Sequence, residues 1–139
     1  MAADRDVPGA LVAALDGVTG LISAYLFGSF SSDRAHRESD VDVGVLLDRG
    51  LFPTAADRFD ARLKLIGRLR GAVGRDVDLV ILNDAPPQLA RHIMTAGTRL
   101  VVKDAERDHA QLRVTLSRAA DLEPFLRRAR AVKLRSLAR

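Results

Sequence analysis

Residues 21–47, LISAYLFGSFSSDRAHRESDVDVGVLL, decide the fold. Leu21 to Phe27 is an apolar run of strand length, cut off by Gly28 and Ser29. Asp40 to Leu47 is a second strand, in which Val41, Val43, Val45 and Leu47 alternate with Asp40, Asp42, Gly44 and Leu46. Between them, Phe30 to Ser39 is polar and charged with neither period, which marks a loop or a short helical turn followed by a loop. Strands joined in this way leave the sense of their pairing open.

Outward from this stretch the pattern is readable in both directions. Upstream, Pro8 suits a first helical turn, and Leu11, Val12, Leu15 and Val18 recur at helical spacing, which predicts about three turns ended by Gly20. Downstream, Asp48 to Pro53 turns the chain. Thr54 caps a long helix whose apolar positions Phe59, Leu63, Ile66 and Leu69 keep the helical period before Gly71 and Gly74 close it. Asp76 to Leu82 reads as a third strand. Asn83 or Asp84, ahead of Pro86 and Pro87, starts a short helix with Leu89 and Ile93, and Thr98 to Val102 is a brief fourth strand. After Asp104 the pattern is helical to the end, with a break expected at Pro124. The order predicts an α/β (α+β) fold, a small mixed β-sheet with flanking helices, in one domain over 1–139 with 104–139 as a C-terminal helical extension.

Composition sets the bounds. At 139 residues and 47% hydrophobic, the chain can bury one core and is too short for two. It has no cysteine, which removes disulfides, thiolate zinc sites and cysteine nucleophiles. No apolar run approaches the roughly 18 residues that would span a bilayer, so no membrane segment is expected and the cytoplasm is the expected location. The net charge is +4, and seven basic residues (Arg118, Arg127, Arg128, Arg130, Lys133, Arg135 and Arg139) crowd the last 22 positions. Only 4% of the residues are aromatic, too few to interleave with these arginines and stack bases, so direct nucleic-acid binding is not expected. Within that segment Phe125, Ala129 and Val132 form a helical stripe, which docks either on the chain's own domain or on a partner.

The chemistry lies around the first two strands. Asp40 and Asp42, two apart on a strand, aim both carboxylates out of one face. Such a pair repels itself and resists desolvation, so it either reaches water or holds a divalent cation. Asp78, in the next predicted strand, can reach the same ions across a strand spacing of about 4.8 Å. Three carboxylates make a two-magnesium site of the kind that activates an attacking oxygen and stabilises a leaving one. Asp76 shares the face of Asp78, so spacing does not separate them; the simplest reading of Asp76 is a solvated residue leading into the strand. Gly28 and Ser29 after a buried strand let a phosphate approach the backbone. Tyr25 reads as core, and His36, His92 and His109 lack metal-ligand spacing.

Gly28-Ser29, ten residues, then Asp40-Val41-Asp42, with Ser39 before them and Val77-Asp78-Leu79-Val80 about 35 positions later, resembles the signature of the minimal nucleotidyltransferases of the DNA polymerase beta superfamily. The resemblance covers about three quarters of the chain, through Asn83-Asp84-Ala85-Pro86-Pro87-Gln88-Leu89, Ile93 and Thr98-Arg99-Leu100. It implies a polymerase-beta-like fold with C-terminal helices. It also implies that Gly28 and Ser29 bind the triphosphate of ATP, that Asp40 and Asp42 hold two Mg2+ ions, and that Asp78 completes the ion activating the acceptor hydroxyl. The branch it looks most like is the antitoxin of HEPN/MNT toxin–antitoxin pairs, which implies a hetero-oligomer with a HEPN ribonuclease toxin and AMP transfer to a toxin tyrosine. The chain departs from the family at two places: Phe30 stands where arginine commonly follows Gly-Ser, and Asp33 where a second glycine is common. Arg34 or Arg37 is the candidate substitute for the missing charge. The departures define the alternative, a catalytically weakened antitoxin that neutralises its partner by binding alone. An aminoglycoside-modifying transferase shares the motif but usually adds a domain or dimer groove for the drug.

Overall fold

The computed structural model describes residues 6–28 and 40–137. In chain order these form helix α1 (Val7–Asp16), strands β1 (Leu21–Phe27) and β2 (Val41–Leu47), helix α2 (Ala55–Val73), strand β3 (Val77–Ile81), helix α3 (Pro87–Ala96), strand β4 (Thr98–Val102) and helix α4 (Ala105–Leu137). The strands make one sheet in the order β3-β2-β1-β4. β1 runs antiparallel to both β2 and β4, and β2 runs parallel to β3. A parallel pair needs a crossover of a dozen residues or more, which α2 supplies. The expected mixed sheet with flanking helices is thus what forms, and the question of sense is answered as antiparallel for the first pair.

The sheet is covered on both faces. Leu21, Ala24 and Leu26 of β1, the four alternating residues Val41, Val43, Val45 and Leu47 of β2, and Val77, Leu79 and Ile81 of β3 pack against α1 and α2. On the opposite face Ile22, Tyr25, Leu46 and Leu82 pack against Ala90, Ile93 and Met94 of α3, with Leu112 of α4 at the margin. Period-two alternation therefore puts Asp42 and Gly44 on the α3 face. Gly44 is there because of that packing: a Cβ on it would lie 2.8 Å from Ile93 Cγ2, so α3 can close on β2 only over a glycine.

Several local expectations shift. α2 begins at Thr54, whose hydroxyl accepts from the Asp57 N–H while the Asp57 carboxylate accepts from the Thr54 N–H. It runs through Gly71 and stops only at Gly74, which is left-handed at φ 66°. Of the expected stripe, Leu69 is buried and Ile66 packs against the core, but Phe59 and Leu63 are 54% and 53% exposed; Leu65, Val73 and the charged Arg58 complete the core face. Arg58 is buried because it is satisfied: its guanidinium donates to both oxygens of Asp84, each at 2.8 Å, and to the Phe52 carbonyl at 2.8 Å. This rotates the helix and leaves Phe59 and Leu63 outward. Asp84 is thereby taken from capping, and Asn83 is taken too, its side chain bonding both the N–H and the carbonyl of Leu47 at 2.9 Å. α3 starts instead at Pro87 with no side-chain cap.

The break expected at Pro124 does not occur; α4 continues through it as a helix of 33 residues. Proline removes one backbone bond there, yet Glu123 bridges forward past it to Arg130 at 3.0 Å and Arg127 at 4.0 Å. Tyr25 is core, as expected, and its hydroxyl donates to the buried Asp108 of α4 at 2.7 Å. Burial first, then Asp108, pushes that phenol well above its ordinary range, so it stays protonated and keeps donating. Among the described residues, no helix is long and apolar enough to cross a membrane.

Candidate active site

Three strand ends meet at one place. Asp42, the second residue of β2, lies opposite Phe27 on β1 and opposite Asp78 on β3. Gly28 follows Phe27 directly, so the end of β1, the start of β2 and the start of β3 bring Gly28, Asp42 and Asp78 side by side. Asp40 precedes β2 on the same side and is exposed.

Gly28 is required for two separate reasons. Its φ is +72°, a conformation that costs side-chain-bearing residues energy. A Cβ on it would also run into the Asp42 carboxylate. The backbone of the β1 terminus thus approaches the carboxylate as closely as a chain can, which is the geometry a phosphate-binding turn needs. Ser29, Phe30, Asp33, Arg34 and Arg37, the rest of the expected nucleotide loop and its departures, lie outside the described residues.

The electrostatics of Asp42 are unusual for a half-buried acid. Burial, then the charge of Asp78, then that of Asp40 hold its carboxyl above its ordinary value. None of the ion pairs among the described residues reaches Asp40, Asp42 or Asp78. Asp76 behaves differently: it stands 3.2 Å from Arg70 of α2, with both side chains exposed. Asp76 and Asp78, which spacing left equivalent, differ in their neighbours: Asp76 pairs with Arg70, and Asp78 lies opposite Asp42.

Neighbouring carboxylates that form no ion pair among the described residues make a donor set of hard oxygens, and this fits a divalent cation. Among the described residues no three acidic or imidazole side chains already close around one point. The described structure thus pairs Asp42 with Asp78 but does not close Asp40 in with them as the expected three-carboxylate cluster.

A further contact was not foreseeable from sequence. Arg99 of β4 lies opposite Tyr25 in the register, and its positive charge opposes the upward push of burial and Asp108 on that phenol. Tyr25 and Asp108, joined through that hydroxyl, are 83 positions apart, so no local signal announces the bond.

The family model described as polymerase beta, nucleotidyltransferase matches residues 11–106 and so contains Gly28, Asp40, Asp42 and Asp78. The protein adenylyltransferase MntA of Shewanella oneidensis (strain MR-1) is 40% identical over 87 residues, which are 61% of this chain and 57% of that protein; the chain therefore matches somewhat over half the length of this relative. Among solved structures, a chain in the crystal structure of a toxin–antitoxin with AMP-PNP superposes with a TM-score of 0.67 at 27% identity, over 95% of this chain and 98% of that one. A chain in a mutant MntA–HpeT toxin–antitoxin structure gives 0.64 at 26%, over 94% and 97%. A chain in the structure of the tri-AMPylated Shewanella oneidensis HEPN toxin with its MNT antitoxin gives 0.62 at 24%, over 98% and 99%, a likeness of fold.

Proposed function

Because this chain belongs to the polymerase beta nucleotidyltransferase family, we propose that it transfers AMP from ATP to a hydroxyl of a partner protein. The partner is a HEPN-type toxin, the acceptor a tyrosine, and the chain the antitoxin of the pair. The observation that carries this reading is the register pairing of Asp42 with Asp78, with Gly28 pressed against the Asp42 carboxylate. The relative named as a protein adenylyltransferase and the structural neighbours in toxin–antitoxin complexes, one of them with AMP-PNP, support the choice of substrate and partner.

In this reading the Gly28 and Ser29 backbone and the seryl hydroxyl hold the triphosphate. Asp40 and Asp42 would hold two magnesium ions, with Asp78 as a further ligand. Bound magnesium would neutralise the carboxylates, lower the proton affinity of the acceptor hydroxyl and offset the charge that develops on the leaving group. The acceptor oxygen bonds to the α-phosphorus, its proton passes to a solvent water, and the bond between the α-phosphorus and the bridging oxygen breaks. Pyrophosphate leaves with the electron pair of that bond. The chain works as one domain over 1–139, with 104–139 as a helical extension, in the cytoplasm.

The second reading, an antitoxin that neutralises by binding alone, is favoured by Phe30 and Asp33 in the phosphate loop. Labelled ATP with magnesium and the HEPN-domain protein of the same genome separates the two: label on the protein, lost with Asp42→Asn, supports transfer. Stable complex formation without label supports binding alone.

A further inference from the structure

Helix α4 has two unlike halves. The first is anchored to the domain: Asp108 accepts from Tyr25, Thr115 and Ala119 are buried, and the Gln88 side chain donates to the Ala119 carbonyl at 3.0 Å. From Arg127 to Leu137 every residue is exposed. Phe125 is 62% and Val132 59% exposed, although with Leu122 and Ala129 they recur at spacings of three, four and three, which lines up one continuous stripe. The alternative that this stripe docks on the chain's own domain is therefore overturned among the described residues.

The charge around the stripe says what would cover it. At about 100° per residue, Arg128 and Arg135 flank one side and Lys133 the other. Residues 122–137 hold five basic side chains (Arg127, Arg128, Arg130, Lys133, Arg135) and one acid, Glu123, a balance of +4. Glu123 engages Arg127 and Arg130 on the back of the helix, away from the stripe, and no ion pair among the described residues includes the flanking Arg128, Lys133 or Arg135. A second copy of the helix would bring +4 against +4. A nucleic acid would have no use for the apolar stripe, whose one aromatic ring is already stacked by Arg128, 4.8 Å from its centroid.

We propose that the outer half of α4 is a docking helix for an acidic protein, laying Leu122, Phe125, Ala129 and Val132 into an apolar groove whose rims carry carboxylates for Arg128, Arg135 and Lys133. The inference rests on the reading of the chain as a modifier of a partner protein, and it says how that partner is held. Gln88, where the anchored half of α4 ends, is in the first turn of α3, which follows the end of β3 away from Asp78. Capture and chemistry therefore sit on different parts of the molecule.

The test measures label transfer from ATP to the HEPN-domain protein of the same genome, and calorimetric binding of that protein, for the parent, for Phe125→Ser with Val132→Ser, and for Arg128→Glu, Lys133→Glu and Arg135→Glu together. Both variants are expected to raise KM and Kd for the protein by at least about tenfold, with kcat within about twofold and the melting temperature unchanged. The defect of the charge variant, and not that of the serine variant, should shrink in high salt. Transfer with parental KM in both variants overturns the docking helix and leaves the transferase reading intact. Binding that is lost in the variants, from a parent that transfers no label, does the reverse. A parent that neither labels nor binds the protein overturns both. Self-association in sedimentation that the serine substitutions abolish would make the occupant a second copy. Duplex or single-stranded binding with a steep salt slope, lost only in the charge variant, would make it nucleic acid, and either result overturns the proposal.

Discussion

The start of β2 and the outer half of α4 are each incomplete, in opposite ways. Around Asp42 the fold gathers negative charge in a partly buried place, and no ion pair among the described residues includes Asp40, Asp42 or Asp78. Along Phe125 and Val132 it lays apolar surface in water, 62% and 59% exposed. Elsewhere the molecule shows that it can finish such features. The buried guanidinium of Arg58 has three acceptors, and its partner Asp84 is held below its ordinary value chiefly by that bond. The difference teaches where to look for function: an unbalanced feature inside a fold that balances others marks where a cation, a substrate or another protein completes it.

The comparison breaks most decisively at the carboxylates. On the proposed mechanism, Asp42→Asn and Asp78→Asn should each lower transfer to a HEPN-domain protein by on the order of a thousandfold or more, since each would remove a ligand charge from the proposed ions. Either variant working at near the parental rate would place the ions elsewhere. Asp76→Asn, whose carboxylate is already engaged by Arg70, is expected to transfer within about twofold of the parent.

Next in size is the balanced charge. Arg58→Ala leaves Asp84 without its partner and empties a buried position, and because Asp84 is 38% exposed the loss is set by partial solvent screening at about 1–3 kcal/mol. Denaturant midpoints measured with an unchanged m-value would show it. A midpoint equal to the parent's would mean that the pair contributes nothing and that the contrast with Asp42 is empty.

Smaller, and of opposite sign, is the effect of Asp42 on stability without metal. Its folded pKa is raised, so its contribution to stability is fully present below the unfolded value and is lost as pH rises through the folded one. Asp84 is depressed, so its contribution is present above the unfolded value and is lost as pH falls through the folded one. At neutral pH in chelator, Asp42→Asn should therefore melt higher than the parent by roughly 2 °C, from relief of about 0.5 kcal/mol of screened repulsion. The advantage should vanish on acidification as the parent's Asp42 takes up its proton. A variant that melts lower at neutral pH would show that the Asp42 charge is stabilised by something in the fold.

The smallest expected effect is on the other side of the comparison. Phe125→Ser with Val132→Ser should shift the melting temperature by less than about 1 °C, because neither side chain contacts the folded domain enough to be buried by it. A loss of several degrees in thermal unfolding would mean that the stripe belongs to the core after all.

The sequence by itself determined the elements and the faces. Alternation in residues 40–47 assigned Val41, Val43, Val45 and Leu47 to one side and Asp40 and Asp42 to the other, Thr54 and Gly74 bounded the long helix, and β1 and β4 fell where their apolar runs begin and end. The family signature at Gly28, Asp40, Asp42 and Asp78 was legible for the same reason: it is a matter of residue type and spacing along the chain. Only the tertiary structure decided the partners. It made β1 and β2 antiparallel, set Asp78 against Asp42 while giving Asp76 to Arg70, buried Arg58 in place of Phe59 and Leu63, and carried α4 through Pro124 into water. The physical reason is that periodicity fixes which way a side chain points within its own element, a property of a few bonds, whereas what it meets there depends on packing between segments tens of residues apart. That packing is chosen by the free energy of the whole core, in which a bonded arginine can displace a phenylalanine.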